Sequence, residues 1–440
     1  MKLEKYYSKL KLMNFLLKIV FIFIFVLSIN ESKANTLFDS LNSAYKNNPK
    51  LNAERANMRA SIEEKRESVS EFLPSVTISG YVSDQDNKKT GGNDSNFEPS
   101  EQAMVVEQKI FQGGSGVATF KKRKYGQQIG EYNLKKVEQE ILLEAAKVHT
   151  ELLLNKKKVN INLMNIDLLE RQVETDQNRL EKGEINLTDL AQSESSLAGA
   201  RAELITAQND LVTSKANFEK IIGQKPNENI EETKEFNLNL PESLAAAYNI
   251  SNSENPDLLI AELEYKQSKL DVLIAGSDLS PSATLSYKIA EQDDISSSIK
   301  ERTQQTVTAT ATWPLFSGGS NIFNLRKTQE IKNQKELLLE DSKKKNEIDV
   351  ANAWSSYQSS KSVLDSIRLQ VKAAEIANEG ITLEYESGGS RTTLEIIQSR
   401  TILLNSRINL ASSERNLLIS QFNLLSAVGR LTAKQLNLKQ

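Results

Sequence analysis

The sequence has no cysteine and a single histidine, His149. Without cysteine the chain forms no disulfide bond, no thiolate metal site and no cysteine nucleophile, and its mature amino terminus carries no cysteine-linked lipid anchor. One histidine excludes a multi-histidine metal site and argues against a Ser–His catalytic triad. The formal net charge is −3, so the chain also lacks the basic surplus that is typical of nucleic-acid binders.

Residues that interrupt helices are scarce as well. The 440 residues include 8 prolines and 18 glycines, and only 6% of the chain is aromatic, whereas 26% is charged. Proline and glycine, the two residues that break helices, are both rarer here than in ordinary globular proteins. This composition predicts a mainly α-helical protein with long helices and a small β part.

Residues 1–34 have the three-part pattern of a secretion signal. Lysines precede the apolar run at 19–29, and Ser32 and Ala34 are the small residues expected at a cleavage site. The apolar run is too short to cross a hydrocarbon core of about 30 Å, which disfavours a membrane anchor. We predict that residues 1–34 are removed and that the mature chain begins at Asn35. No later stretch is long and apolar enough to predict a transmembrane helix.

The remaining chain is a tandem duplication. Five sequence blocks recur at an offset of 203 to 207 residues, for example 48–51 with 255–258 and 111–115 with 316–320. One offset maintained over five blocks is the mark of an internal repeat, and its period is too long for a solenoid. We place the first repeat at 35–236 and the second at 237–440.

Each repeat predicts the same order of elements: a short helix, two strands, a long helix and a return helix. The predicted strands lie at about 74–84, 102–111, 281–290 and 304–315, the long helices at about 115–182 and 320–386, and the return helices at about 188–223 and 392–430. At 1.5 Å per residue a long helix spans roughly 100 Å. That length is close to the summed length of the two shorter helices, so both can stack along the long one.

Both return helices carry apolar side chains at every seventh position. The two stripes are Leu190, Leu197, Leu204, Leu211 and Phe218, and Ile396, Leu403, Leu410, Leu417 and Leu424. A strict seven-residue period keeps one seam turned toward a partner helix. It therefore predicts coiled-coil packing against the long helices.

The predicted strands alternate between apolar and small polar residues. In the last strand, Val307, Ala309 and Ala311 alternate with Thr306, Thr308 and Thr310. Such segments of about ten residues are typical of membrane barrels, although a half-buried sheet in a soluble domain has the same pattern. The secretion signal and the duplication favour the barrel. Trp313 and Tyr81 are then candidates for aromatic girdles.

Two polar segments, 84–100 and 291–302, connect the paired strands. We interpret both as solvated loops. The carboxylates Asp293 and Asp294 raise the possibility of a Ca²⁺ site, but the spacing of a calcium-binding loop is missing.

Four strands in one chain cannot close a barrel, and an open sheet edge is not viable in lipid. Two chains would give eight strands, whose interior is filled by side chains. Three chains would give twelve strands around a lumen. A transport function therefore favours a trimer.

The two turns that lead into the return helices carry further motifs. The first reads Gly183-Glu184-Ile185-Asn186-Leu187-Thr188-Asp189, and the second reads Gly389-Ser390-Arg391-Thr392-Thr393-Leu394-Glu395. With the duplicated order of elements, they resemble the TolC family of outer-membrane channel proteins over essentially the whole mature chain. The resemblance implies a homotrimer with a 12-stranded barrel in outer-membrane lipid and an α-helical tunnel in the periplasm. It also implies passive transport without a cofactor, with cargo received from an inner-membrane transporter through a periplasmic adaptor.

The same resemblance implies which residues form the functional tip. The periplasmic tip and adaptor contact would comprise Gly183, Asn186, Leu187, Thr188, Gly388, Gly389, Ser390, Arg391 and Thr392. The gate and constriction would comprise Asp189, Arg391, Glu395 and Gln398. The family pattern has a second carboxylate where this chain has Gln398. The second turn also has one extra residue, which makes Gly388 a candidate counterpart of Gly183.

Four classes of function can be weighed against these sequence features. An exit duct for multidrug efflux or for type I protein secretion fits best. A periplasmic adaptor would need a compact β domain and would not be duplicated, and a secreted structural coiled coil would not need alternating strands. An enzyme has almost no support, because Gly113-Gly114 and Gly318-Gly319 lack the lysine of a phosphate loop and predict strand-to-helix turns instead. His149 is predicted on a helix surface or between helices.

Overall fold

A computed structural model of the chain describes residues 36–88, 90–91, 95–227, 230, 238–296, 299–387 and 391–438. The predicted secretion signal therefore lies outside the described residues, as do the tip residues Gly388, Gly389 and Ser390. In the part that is described, no helix has a stretch both long and apolar enough to cross a membrane.

The two halves of the chain have the same order of helices and main strands. The first half contains α1 (Leu37–Asn47), α2 (Pro49–Glu67), a 3-10 turn (Ser68–Phe72), β1 (Ser75–Val82), β2 (Gln85–Asn87), β3 (Ser95–Phe97), β4 (Ser100–Gln112), the long helix α3 (Ser115–Glu181) and the return helix α4 (Leu187–Ile222). The second half contains α5 (Leu244–Glu254), α6 (Pro256–Ser277), β5 (Ser282–Ser296), β6 (Ile299–Thr312), the long helix α7 (Ser320–Glu386) and the return helix α8 (Thr393–Ala427).

The repeated sequence blocks encode helix starts. Asn48 caps α2 by accepting hydrogen bonds from the next backbone amides, and Asn255 caps α6 in the same way. A proline follows each asparagine at the first helical position, where its missing N–H costs no hydrogen bond. Gly114 and Gly319 precede the long helices with φ of 88° and 82°, a conformation that favours glycine.

Two predicted loops contain more strand than the sequence indicates. β5 extends to Ser296 and β6 begins at Ile299, so most of 291–302 is a continued hairpin rather than a loop. The short pair β2–β3 occupies part of 84–100. Apolar alternation ends near Ile289, but backbone pairing does not require a buried face. The hairpin therefore continues beyond the segment that the side-chain pattern identifies.

The short helices lie along the long ones. Helices α2 and α4 pack on α3, α6 and α8 pack on α7, and α6 also contacts α3. The leucine stripes form only half of each return-helix seam. The other half consists of small buried residues, namely Ser193, Ala200, Ala207 and Ser214 in α4 and Ser399, Ser406, Ser413 and Ser420 in α8. Small side chains at these positions let the helix axes approach closely.

The main apolar core lies where α1, α3, α4, the end of α8 and the carboxyl-terminal segment meet. It includes Leu41, Leu142, Phe218, Phe422 and Leu431, which are all fully buried. His149 is buried between helices in this core, with its Nδ1 atom 2.9 Å from Ser40 Oγ and its ring against Phe218.

The four main strands form one antiparallel sheet in the order β1–β4–β5–β6. The pairing register gathers apolar side chains on one surface, the apolar sheet face: Val76, Ile78, Met104, Val106, Leu285, Tyr287, Ile289, Val307, Ala309 and Ala311. The opposite surface, the polar sheet face, carries Thr77, Ser79, Glu101, Ser286, Lys288, Arg302, Thr306, Thr308 and Thr310. The alternation predicted for the strands therefore produces one amphipathic sheet.

The two aromatic residues predicted for girdles occupy different places. Trp313 follows β6 and is 62% exposed. Tyr81 pairs with Glu101 and shares the polar sheet face with Ser79, so it does not lie on the apolar sheet face. Its place in an aromatic girdle stays a prediction. Successive side chains of a strand point to opposite faces, so Tyr81 and its chain neighbour Val82 lie on different faces of the sheet.

Candidate functional site: the helical tip

The tip consists of the two turns that join a long helix to its return helix. Five residues, 182–186, separate α3 from α4, and six residues, 387–392, separate α7 from α8. The second turn is thus one residue longer. The residues that would identify the counterpart of Gly183 lie outside the described part of this turn.

Both return helices begin with the same reciprocal cap. Asn186 Oδ1 accepts from the Asp189 amide at 3.0 Å, and Asp189 Oδ2 accepts from the Asn186 amide at 3.2 Å. Thr392 and Glu395 form the equivalent pair, in which Glu395 Oε2 accepts from the Thr392 amide at 2.8 Å. These bonds satisfy backbone amides that a helix start otherwise leaves unpaired. Asn186 therefore precedes α4, and Leu187, 71% exposed, is its first residue rather than Thr188.

Arg391 is held by carboxylates of its own helical hairpin. Its Nε atom lies 2.6 Å from Glu384 Oε2, and its Nη1 atom lies 3.0 Å from Glu395 Oε1. The predicted gate residue Asp189 caps α4 within the same chain. Glu395 is within reach because it lies in the first turn of α8, and Arg391 directly precedes the capping residue Thr392.

These contacts set the protonation of both groups. Hydrogen bonds from the Thr392 amide and then from Arg391 lower the pKa of Glu395, and those to Glu384 and Glu395 raise the pKa of Arg391. Glu395 therefore stays ionised and remains oriented by its partners. Gln398, one turn further along α8, is exposed.

A buried carboxylate behind the tip joins the two halves. Asp176 of α3 is fully buried and accepts hydrogen bonds from Gln172 Nε2 at 2.9 Å, Ser193 Oγ at 2.5 Å and the Tyr385 hydroxyl at 2.5 Å. Tyr385 also lies 3.1 Å from Thr393 Oγ1. This cluster therefore connects α3 and α4 to α7 and α8.

Cationic side chains surround the same cluster. The Arg179 guanidinium lies 4.5 Å from the Tyr385 ring centre. Burial, and secondarily the hydrogen bond to Asp176, raise the pKa of Tyr385, while burial lowers the pKa of Arg400. The leucine stripes alone do not reveal Asp176. The signal lies in a second seven-residue series of α3, Asn155, Asn162, Leu169 and Asp176, which is buried and polar at every position except Leu169.

The interactions at the tip are structural. They consist of caps, ion pairs and a buried hydrogen-bond cluster that hold helices together. Across the described ranges, no group of histidine and carboxylate side chains is arranged to hold a metal ion. The arrangement fits a helical assembly in which hydrogen bonds between the hairpins can form or break at the tip. The other end of the helices continues into an amphipathic antiparallel sheet.

Comparison with known proteins defines the class. The chain belongs to the outer membrane efflux protein family, whose sequence profile matches residues 40–224 and 247–430. The profile thus matches twice, once in each half. The protein is accordingly an outer-membrane efflux channel of the TolC type and not an enzyme, located in the outer membrane with a helical periplasmic portion.

Individual relatives cover nearly the whole chain. The outer membrane efflux protein BepC of Brucella suis biovar 1 is 25% identical over 94% of this chain and 90% of its own length. The outer membrane protein TolC of Vibrio cholerae serotype O1 is 22% identical over 92% of both chains. The crystal structure of the Campylobacter jejuni CmeC outer membrane channel has the same fold, with a TM-score of 0.81 at 14% identity over 92% of this chain and 90% of that one.

Proposed function

We propose that three copies of this chain form one duct that gives cargo a passive exit through the outer membrane. The cargo is handed over by an inner-membrane transporter through a periplasmic adaptor. The observation that carries the proposal is the four-stranded sheet, with one apolar face and two open edges. Such a sheet is stable in lipid only when its edges are paired.

The strand directions allow this closure. Alternating antiparallel pairs make the two edge strands, β1 and β6, antiparallel to each other. An edge β6 of one copy can therefore pair with β1 of the next. Three copies then supply a 12-stranded barrel whose apolar sheet face meets lipid and whose polar sheet face lines the lumen.

The helices also leave surfaces for neighbouring copies. On α7, the side chains of Leu369, Ile376 and Leu383 are 72%, 64% and 60% exposed and recur every seven residues. An exposed apolar stripe of this length marks an interaction surface. Because its spacing is that of a coiled-coil seam, a helix from another copy is the fitting partner.

The helical turns form the proposed entrance. Leu187 and Thr188 of the first turn are exposed at the end of the hairpin and are proposed to contact the adaptor, together with Gly183, Asn186 and the second-turn residues Gly388, Gly389, Ser390, Arg391 and Thr392. We assign the constriction to Asp189, Arg391, Glu395 and Gln398. In three copies, Glu395 and the exposed Gln398 would form rings around the entrance.

The cargo class that we favour is small molecules. The matched family is described as outer membrane efflux protein, and BepC carries the same description. Type I protein secretion requires the same duct with a different transporter and remains the alternative.

Assembly and export test the proposal separately. The detergent-purified mature protein should have the mass of three chains in light scattering, and a stable monomer would contradict the trimer. In a strain that lacks its own outer-membrane efflux channel but retains transporter and adaptor, expression should restore resistance to exported antibiotics. Restored export of a type I substrate protein without restored resistance would favour the alternative.

A further inference from the structure

The outer end of the sheet separates its charges by sign. On the continuation of the apolar sheet face, beyond Ile289, stand Glu291, Asp293 and Glu301. On the polar sheet face stand Lys288 and Arg302, with Lys300 two residues further out on β6. Because successive side chains of a strand point to opposite faces, this pattern makes one surface acidic and the other basic.

The basic side chains belong to a connected network across three strands. Lys288 Nζ lies 2.6 Å from Glu101 Oε1, and Gln292 Nε2 donates to the other oxygen of Glu101. Gln292 Oε1 in turn accepts from Arg302 Nε at 3.1 Å, and Arg302 Nη2 donates to Gln304 Oε1 at 2.5 Å. We call Glu101, Lys288, Gln292, Arg302 and Gln304 the collar network.

Small residues beneath the network leave room for it. Ala103 and Ala290 face each other across β4 and β5 and are 4% and 2% exposed. Both lie on the polar sheet face, where the long side chains of the collar network extend over them. The network is therefore an ordered part of the wall and not a set of independent surface charges.

The network has an excess of positive charge. Glu101 neutralises Lys288, but within the described residues Arg302 donates to the neutral amide oxygens of Gln292 and Gln304 and to no carboxylate. These two bonds use two of the five N–H donors of its guanidinium. Lys300 adds a second positive charge near the rim. Asp294 lies at the register shift of β5, accepts from the backbone amide of Glu98 and keeps its negative charge, so the excess of the collar rests on Arg302.

The acidic residues of the opposite face do not cancel this excess inside the lumen. They project from the other side of the sheet, so they do not line the passage. A ring of like charges at a narrow passage raises the local concentration of counter-ions. The sign of the electrostatic potential inside the passage is then set by the residues that line it.

We infer that the outer end of the lumen carries a cationic collar that binds polyvalent anions and favours the passage of anionic solutes. This inference rests on the proposed trimeric barrel, in which three copies place Arg302, Lys300 and the Lys288–Glu101 pair around one passage. The collar determines which charge class of cargo leaves the duct readily, a property separate from the charge of Glu395 at the entrance.

Planar-bilayer recording of the purified trimer tests the collar, with inorganic tripolyphosphate as the probe. The anion should block the wild-type channel from one chamber only, the one that contains the outer mouth. Arg302→Gln removes three charges per trimer and should raise the half-blocking concentration about tenfold, the equivalent of 1.4 kcal/mol. Arg302→Lys preserves the charge and should retain most of the block.

Two further variants separate the charge of the collar from the charge of the opposite face. Glu101→Gln releases Lys288 from neutralisation and should strengthen the block. Glu301→Gln removes the neighbouring carboxylate on the other face and should leave the block unchanged. Channels that are insensitive to tripolyphosphate from both sides, or equal block in wild type and Arg302→Gln, would overturn the collar. A preparation that forms no channels would instead contradict the proposed duct.

Discussion

The imidazole of His149 is fully buried, and burial lowers its pKa from 6.5 to about 4, partly opposed by the charge of Asp39. Between these two values the unfolded chain binds more protons than the folded chain. The free energy of unfolding therefore falls as pH decreases from 6.5 through 4, by up to about 3 kcal/mol, and the full stability is present above pH 6.5.

His149→Gln should reduce this pH dependence, because an amide can hydrogen-bond to Ser40 without titrating in the window. Denaturant unfolding of wild type and variant at pH 7 and pH 4.5 measures the difference. Carboxylates titrate in both proteins and cancel in the comparison. An identical loss of stability on acidification in the two proteins would contradict the assignment.

Glu395 combines two functions that one substitution can separate. Glutamine at this position can still receive the Thr392 amide and complete the reciprocal cap, but it carries no charge. Glu395→Gln should therefore keep the turn intact and reduce the cation preference of the trimer if three copies form an entrance ring. Glu395→Ala should lose the charge together with the side-chain half of the reciprocal cap, while Thr392 Oγ1 still accepts from the backbone amide of residue 395.

Arg391→Ser should have the opposite effect on selectivity. The guanidinium offsets part of the charge of Glu384 and Glu395, so its removal should increase cation preference and loosen the turn. Its exposed ion pairs are each worth only about 0.2–1 kcal/mol, and the effect on folding should be small. Reversal potentials measured in a salt gradient for Arg391→Ser and Glu395→Gln would show whether the two shifts have opposite signs, and shifts in the same direction would contradict the entrance ring.

At the scale of the elements, the strand register gives a direct prediction. Ala309 pairs with Leu285 on the apolar sheet face, whereas Thr308 pairs with Ser286 on the polar sheet face. Arginine facing lipid near the bilayer midplane costs about 2–4 kcal/mol, and lumen positions tolerate it. Ala309→Arg should therefore reduce the yield of assembled trimer in the outer membrane, and Thr308→Arg should not. Equal yields would argue against the assigned lipid face.

Sequence patterns predict elements well where one physical rule dominates. The leucine stripes and the alternation in β6 follow directly from helix and strand periods. The small residues between the leucines, such as Ser193 and Ser406, are missed because a search for apolar residues ignores serine. The extension of β5 to Ser296 is also missed, because polar side chains on both faces remove the alternating signal while the backbone ladder continues.

At the scale of the whole molecule, the duplication predicts the architecture but not the tip contacts. Two copies of one unit in each chain, and four strands that cannot close alone, are evident in the sequence. The partner of Arg391 is not, because six carboxylates lie in the two turns or within three residues of them and only the three-dimensional path selects Glu384 and Glu395. The same limitation hides Asp176, whose partner Tyr385 is 209 residues away.

The Asp176–Tyr385 hydrogen bond leads to a prediction about opening. A duct whose entrance widens must move the α7–α8 hairpin relative to α3–α4, and this bond crosses between them at the tip. A hydrogen bond to a charged group contributes about 1.5–3 kcal/mol. Tyr385→Phe removes the bond but keeps the ring, while Ser193 and Gln172 still satisfy Asp176. The variant should therefore bias the tip toward opening and should still fold.

Single-channel conductance in planar bilayers measures this bias, and sensitivity of cells to a large antibiotic such as vancomycin measures it in the outer membrane. Both should increase in Tyr385→Phe. Tyr357→Phe is the matched control, since Tyr357 lies 28 positions earlier on the same helix and packs in a separate cluster with Trp354. The effect of Tyr385→Phe should exceed that of Arg391→Ser, because the ion pairs of Arg391 lie within one hairpin and do not connect the two halves. Wild-type conductance in Tyr385→Phe would mean that the buried bond does not restrain the tip.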